Sequence, residues 1–396
     1  MTRARDLADS ADKDIAGTLT LDGLTVEGNV SVTGDIQSST AGASNFRAGV
    51  NAGNSIASGG RQNTVIGDEA GTAITTGIEN VLVGYVAGDA LTDADFNVAV
   101  GRASLSTDTL GSKSTAIGQG ALNTQNFTTA TDSHNTAVGF FAGLSVTTGT
   151  QNTLIGGLAG DALTDADFNI AVGYGALSSD TLGSRSVAVG RNALLSQNFT
   201  TAAESQNVAV GFAAGEQVTT GTFNTIVGGE AGKAVTTGFR NTLIGGASGD
   251  ALTDADYNVA VGSHSLTSDT LGSKSTAIGY TALFSQNFTT ATDSFNVAVG
   301  YEAGVLVTTG TDNTLIGAAA GDALTTGGNN TVLGKQALSA DTKGGTAVAI
   351  GQLALGAQNF TTATDNHNVA VGYLAGLGVT TGIDNTLIGG GAGDAL

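Results

Sequence analysis

The sequence predicts an all-β chain wound into an elongated parallel β-solenoid of 17- and 21-residue coils, in an intertwined or side-by-side homotrimer. Three observations predict it. A five-residue module, Asn-(Thr/Val)-(Ala/Leu)-(Val/Ile)-Gly, recurs along the chain with glycines from Gly67 to Gly389. The 396 residues include 61 Gly but no Pro, Cys or Trp. Hydrophobic residues make up 40% and charged residues only 12%, which is too apolar a mixture for a disordered chain. The absence of Pro suits long ladders, because every backbone N–H is then available as a donor.

Three regions follow in order. Residues 1–17 are expected to be an anchor segment. Residues 18–60 read as a stalk or adaptor, in which Thr18-Leu19-Thr20-Leu21, Leu24-Thr25-Val26 and Val30-Ser31-Val32 are short strands separated by Asp22-Gly23, Gly28 and Gly34. Residues 61–396 form the repeat shaft. Arg3 and Arg5 are not followed by an apolar stretch, so a secretory leader is not expected. No apolar run is long enough for a membrane helix, and membrane insertion is not expected.

Within the shaft the step between module glycines is 17 residues, lengthened to 21 at Gly139, Gly211, Gly300 and Gly372. By subtraction, Gly67 to Gly139, Gly139 to Gly211 and Gly300 to Gly372 each span 72 residues, and Gly211 to Gly300 spans 89. A duplicated four-coil block with one extra coil accounts for the pattern. Nineteen module glycines at about 4.8 Å per coil predict a rod of roughly 90 Å.

Each position in the coil has a reason. The three residues before the Gly are β-formers. Val98-Ala99-Val100 and Val208-Ala209-Val210 are apolar on both faces, so a second covering surface is required, and neighbouring chains supply it most simply. The recurrent Gly implies φ > 0 or a close backbone approach. Three residues later stands Ala or Ser, as at Ala70, Ser104 and Ala159, which implies tight packing. Thr-Thr-Gly (Thr75 to Gly77) or Thr-Asp-Ala-Asp (Thr92 to Asp95) marks a second corner, so each coil is expected to hold two strands and two turns. The leading Asn is expected to stack from coil to coil as a hydrogen-bonded ladder, with Ser114, Ser186 and Ser275 replacing it in third coils.

The motif Asn-Val-Ala-Val-Gly-x-x-Ala (Asn207 to Ala214, Asn368 to Ala375) resembles the head repeats of trimeric autotransporter adhesins. That resemblance implies a left-handed β-roll and three chains side by side. The unit from Gly139 to Gly156 is similar to repeats in bacteriophage tail fibres, and Leu19 to Gly28 to phage fibre stalks. Met1 to Ser10 resembles the N-termini of some marine cyanophage virion proteins. The phage resemblances imply a virion tail fibre, bound through its N-terminus to tail or capsid proteins and meeting a host-surface glycan or protein. The alternatives are a trimeric adhesin on a bacterial cell surface and a monomeric ice- or surface-binding solenoid using its Thr rows.

Composition excludes several other classes. A formal charge of −20 and a pI near 4.1 offer no basic stripe for nucleic acid. Without Cys there is no disulfide framework, and three His leave little for acid–base chemistry. No catalytic set and no cofactor motif is found, so an enzyme is not expected. Gly228 to Ala234 approaches a phosphate-binding loop but is one residue short and carries Ala234 where Ser or Thr should stand. Asp165, Asp167 and Asn169 echo calcium-ligand spacing without the following Gly or distal Glu, and read as a solvated turn. His134 and His367 share a place that Gln206 and Phe295 fill elsewhere, which argues against a ligand role; His264 reads as structural. The long coils all carry Gln-Asn-Phe-Thr-Thr-Ala, with Phe127, Phe199, Phe288 and Phe360. These four are the candidate host-contact positions. The competing reading is a protruding loop tucked down by its Phe.

Overall fold

The computed structural model describes residues 44–395. The expected anchor, and the stalk as far as residue 43, lie outside them. Twenty three-residue strands, from Phe46–Ala48 to Thr386–Ile388, form one sheet in which each strand pairs in parallel with its equivalent one coil on. The register is in step: Ile170, Ala171 and Val172 face Thr153, Leu154 and Ile155 on one side and Val187, Ala188 and Val189 on the other. There is no helix among the described residues. The parallel solenoid of 17- and 21-residue coils is therefore present. Among the described residues its first module is Asn45-Phe46-Arg47-Ala48-Gly49, so the solenoid already includes a coil ahead of the boundary expected at residue 61.

The expectation of two strands per coil is met only in part. Every coil has the module strand. A second, two-residue pairing joins only the third and fourth coils of a block, as between Gly183–Ser184 and Ala203–Glu204. Elsewhere the chain bends at positions such as Thr75 and Thr76, leaving no consecutive extended residues for a ladder. Single bonds still tie the corners, with Thr75 N–H donated to Thr92 O at 2.9 Å and Thr92 N–H to Thr109 O at 3.0 Å.

The module glycine is required twice over. Gly173 sits at φ +139°, and a Cβ there would lie 2.4 Å from the carbonyl oxygen of Gly190 in the next coil. The strand's middle residue points inward and is fully buried, as are Leu154, Ala171 and Ala188. So is the small residue three after the glycine, Ala159 or Ala176. Core volume is balanced beside it. Where the strand carries Leu154, the residue after Ala159 is Gly160, whose Cβ would meet Leu154 and Leu163 at 2.7 and 2.8 Å. Where the strand carries Ala171, Leu177 takes that place and fills the space.

The Asn column joins the core's two walls. Asn152 Oδ1 accepts the backbone N–H of Asn169 at 3.0 Å, and Asn169 Nδ2 donates across the coil to Gly183 O at 3.0 Å. In the next coil the Ser186 N–H is donated to Asn169 Oδ1 at 2.9 Å. The side chain thus satisfies backbone groups that the narrow coil hides from water.

Gly173→Ala is expected to destabilise the solenoid by on the order of 3 kcal/mol, since both the conformation and the contact oppose it. Thermal unfolding followed by circular dichroism would check this, with the exposed Gly246, whose Cβ would meet nothing within 4 Å, as the permissive control.

Candidate functional site

Four columns of side chains alternate outward across the module strand. The two central columns are the strand's first and third residues, half-buried or exposed in the single chain. Ile155 is 39% and Ile170 41% exposed. The third-residue column is apolar in every coil, from Ala48 through Val172 and Val189 to Ile388. One flanking column follows the glycine and includes the exposed rings of Tyr174, Phe212, Tyr280 and Tyr301, the last two stacked with centroids 5.6 Å apart. The other precedes the inward Asn and, in several of its coils, sets a ring next to a cation. Arg185 lies 5.7 Å from the Phe168 ring centroid and Arg240 lies 5.5 Å from that of Phe223. Residues in this column are held in the left-handed region, Phe168 at φ 60° and Arg185 at φ 64°, which turns the chain sharply into the strand.

Four columns about 6.6 Å apart and twenty strands at about 4.8 Å make a face of roughly 1,800 Å². Its continuous apolar part is the third-residue column, while the first column mixes Thr with Val and Ile.

The long coil has a different construction. Gly183 pairs with Ala203, and Thr181 Oγ1 donates to Phe199 O at 2.8 Å. The residues between Phe199 and Ala203 are therefore extruded, and Thr200, Thr201 and Ala202 are exposed. The ring of Phe199 turns inward instead. Phe127, Phe199, Phe288 and Phe360 are only 5–7% exposed. The structure thus has the tucked loop, and its outward surface is the Thr-Thr-Ala tip rather than the four candidate rings.

What holds the loop was not read from the sequence. Asp180 is fully buried, and its Oδ1 accepts the N–H groups of Phe199 at 3.0 Å and Gly183 at 3.1 Å. Gln197 Nε2 donates to Asp180 Oδ2 at 2.5 Å and to Ser186 Oγ at 2.8 Å, while Gln197 Oε1 accepts from Asn207 Nδ2 at 2.9 Å. The same set recurs around Asp108 and Asp269, and around Asp341 with Ala347 in the Ser place. The recurrence of Asp-Thr-(Leu/Lys)-Gly one coil before Gln-Asn-Phe is the signal that marks it.

The remaining candidates have structural partners. Thr148 Oγ1 donates to Asp165 Oδ1, the Thr150 N–H to Asp167 Oδ1, and Asn169 is buried, so the three diverge. Hydroxyls engaged in this way, like Thr76 with Asp93, do not form a free Thr row. No group of three or more His, Cys, Asp or Glu among the described residues is placed to hold a metal ion. Around Gly228 to Ala234 the backbone is occupied, with Glu230 N–H donated to Phe212 O and Gly232 N–H to Ser248 O, and Lys233 pairs with Glu230 at 3.4 Å. His134 and His367 lie in widely separated coils; His367 Nδ1 is 3.5 Å from Asp384, and His264 Nδ1 is 2.8 Å from Ser263 Oγ. No helix among the described residues is long and apolar enough to cross a membrane.

The chain matches no protein-family model and no curated protein.

Two predictions follow from these interiors. Asp180→Ala removes the acceptor of two backbone N–H groups and one amide, and is expected to cost about 3 kcal/mol. Faster amide exchange confined to Gly183 and to the loop following Gln197 would be the signature. The second concerns Asp89, Asp161, Asp250 and Asp322. Each keeps a buried Oδ1 without a hydrogen-bond partner, and desolvation raises each carboxyl above its ordinary value of 3.8. The folded state then holds these protons more tightly than the unfolded state. The stability they contribute is complete below 3.8 and is lost as pH rises through their raised values. Replacing all four by Asn is expected to flatten the melting temperature against pH in the window just above 3.8.

Proposed function

We propose that the chain is a structural, non-catalytic virion fibre, a tail fibre working as a side-by-side homotrimer. Its N-terminal segment binds tail or capsid proteins and its solenoid reaches a host surface. The observation that carries this reading is the outer face of the 20-stranded sheet. A parallel sheet is stable in water when both faces are covered. The face of roughly 1,800 Å² exceeds the approximately 800 Å² that each partner contributes to a standard interface. Its composition also fits an interface, with β-branched residues in the centre and, at the rim away from the long coils, the Phe223 ring beside Arg240. A charge of −20 on each chain discourages indiscriminate clustering of finished fibres.

The mechanism is mechanical and adhesive. In-register pairing in every coil resists bending, and repeated weak contacts along a stiff rod sum to avidity. A trimeric bacterial surface adhesin would use the same face and differs in where the protein resides.

Sedimentation of the purified chain is expected to give three times 38.7 kDa with a high frictional ratio. A Val172→Lys/Val189→Lys variant, with two charges on the central column, is expected to sediment as a monomer. A wild-type monomer would refute the trimer. Immunogold labelling of virions, against labelling of the producing cells, separates fibre from adhesin.

A further inference from the structure

We propose that the notch beneath the long-coil overhang is a binding groove for a neutral saccharide, formed by Phe168, Arg185 and Glu204. The proposal rests on the adhesive reading above only in taking its ligand from a host surface. The notch is a consequence of coil length. The fourth coil extrudes Thr200, Thr201 and Ala202, while the third coil below it stays recessed at Gly183–Ser184. Beneath the overhang is an open groove of about 220 Å³, lined by Phe168, Arg185, Glu204, Asp167 and Ser184. An adjoining hollow of about 290 Å³ shares Phe168 and Arg185, so the surface extends beyond one sugar ring.

The chemistry of the lining selects the ligand. Phe168 is 45% exposed, an apolar plate on a polar surface. The guanidinium of Arg185 is 5.7 Å from its ring centroid and 3.1 Å from Glu204 Oε1. A pyranose presents an apolar C–H face and a rim of hydroxyls. The ring suits the first, and an Arg–Glu pair offers a donor and an acceptor side by side for two neighbouring hydroxyls. The ion pair to Glu204 and the contact with the Phe168 ring restrain the Arg185 side chain, which lowers the ordering cost of binding. Asp167 and Glu204 outnumber Arg185, so an anionic sugar is disfavoured.

The set is repeated, and one repeat lacks it. Phe96, Lys113 and Asp132 stand in the equivalent places of the first block, with Lys113 paired to Asp132. Tyr257, Lys274 and Asp293 stand in the third, with Lys274 paired to Asp293. In the last block Asn329 and Thr346 replace ring and cation, although a notch of about 200 Å³ persists beside Asn329 and Asp365. A notch lacking that ring and ion pair shows that the overhang alone makes it, while a ring and an ion pair stand at three of the four overhangs. These three lie four and five coils apart, about 19 and 24 Å. Spaced weak sites of this kind bind a polymeric glycan by avidity.

The test is calorimetric titration of the full chain with maltohexaose, cellohexaose and chitohexaose, and with hexagalacturonate as the anionic control. Saturable binding of at least one neutral hexasaccharide is expected. Phe168→Ala should weaken it about tenfold, and Phe96→Ala/Phe168→Ala/Tyr257→Ala should abolish it. Asn329→Ala should leave it unchanged. The substituted positions are exposed, and unaltered sedimentation of each variant confirms that folding and assembly are intact. The proposal is overturned if no neutral hexasaccharide binds, if binding survives the triple substitution, or if hexagalacturonate binds better. None of these outcomes changes the sedimenting mass, so the groove and the trimeric fibre stand or fall separately.

Discussion

The close stacking of module glycines is the constraint on which the rest of the structure depends. At Gly118, Gly173 and Gly211 a Cβ would lie 2.2 to 2.4 Å from the carbonyl oxygen of the next module glycine. No side chain can enter that column, so successive strands stay in register and cannot slip by a residue without placing one there. The Asn column is in step with it, because each Oδ1 meets the next coil's N–H. With two columns locked, extra residues can leave only where neither runs. That place is the second corner, and the four residues by which a long coil exceeds its neighbours emerge there.

Extrusion creates a polar problem that the Asp180–Gln197–Ser186 network solves. In the third coil Ser186 replaces Asn and cannot reach across to the far wall. Gln197 from the long coil reaches back instead, and Asp180 accepts the N–H groups of Phe199 and Gly183. A buried carboxylate is tolerated when donors surround it, and here three converge. The loop's anchor and the block's irregular Ser are one device.

This device also marks the limit of what the sequence makes legible. The module glycine, the inward Asn and the small residue after the turn each recur at one spacing, and each has a single stereochemical reason. They could be placed before any coordinates. Asp180 and Gln197 sit in segments whose composition reads as solvated turn, and their burial depends on a partner 17 residues away. Local pattern carries no sign of such pairing unless two coils are aligned by their glycines. The inward turn of Phe199 has the same origin. Its neighbours Asn198 and Thr200 suggest a loop tip, but its own N–H is fastened to a buried carboxylate. The missing second strand in most coils is a smaller case, because β-forming residues at Thr75 and Thr76 are overridden by the bend they must make.

The outer face and the notch use the same column differently. The residue before the inward Asn is forced outward by its left-handed conformation, whatever its chemistry. At Phe168 and Phe223 that position holds a ring, and at Arg185 and Arg240 a cation lies over it one coil away. Beside a continuous sheet this ladder is a polar rim around an apolar strip. Where a long coil overhangs it, the same ladder becomes the wall of a groove. Coil length, set at the corner away from the glycine and Asn columns, therefore decides which stretches of one column face a neighbouring chain and which are left to meet a ligand. A solenoid that duplicates blocks of four coils repeats that decision at fixed intervals, because the glycine column holds every copy to the same step.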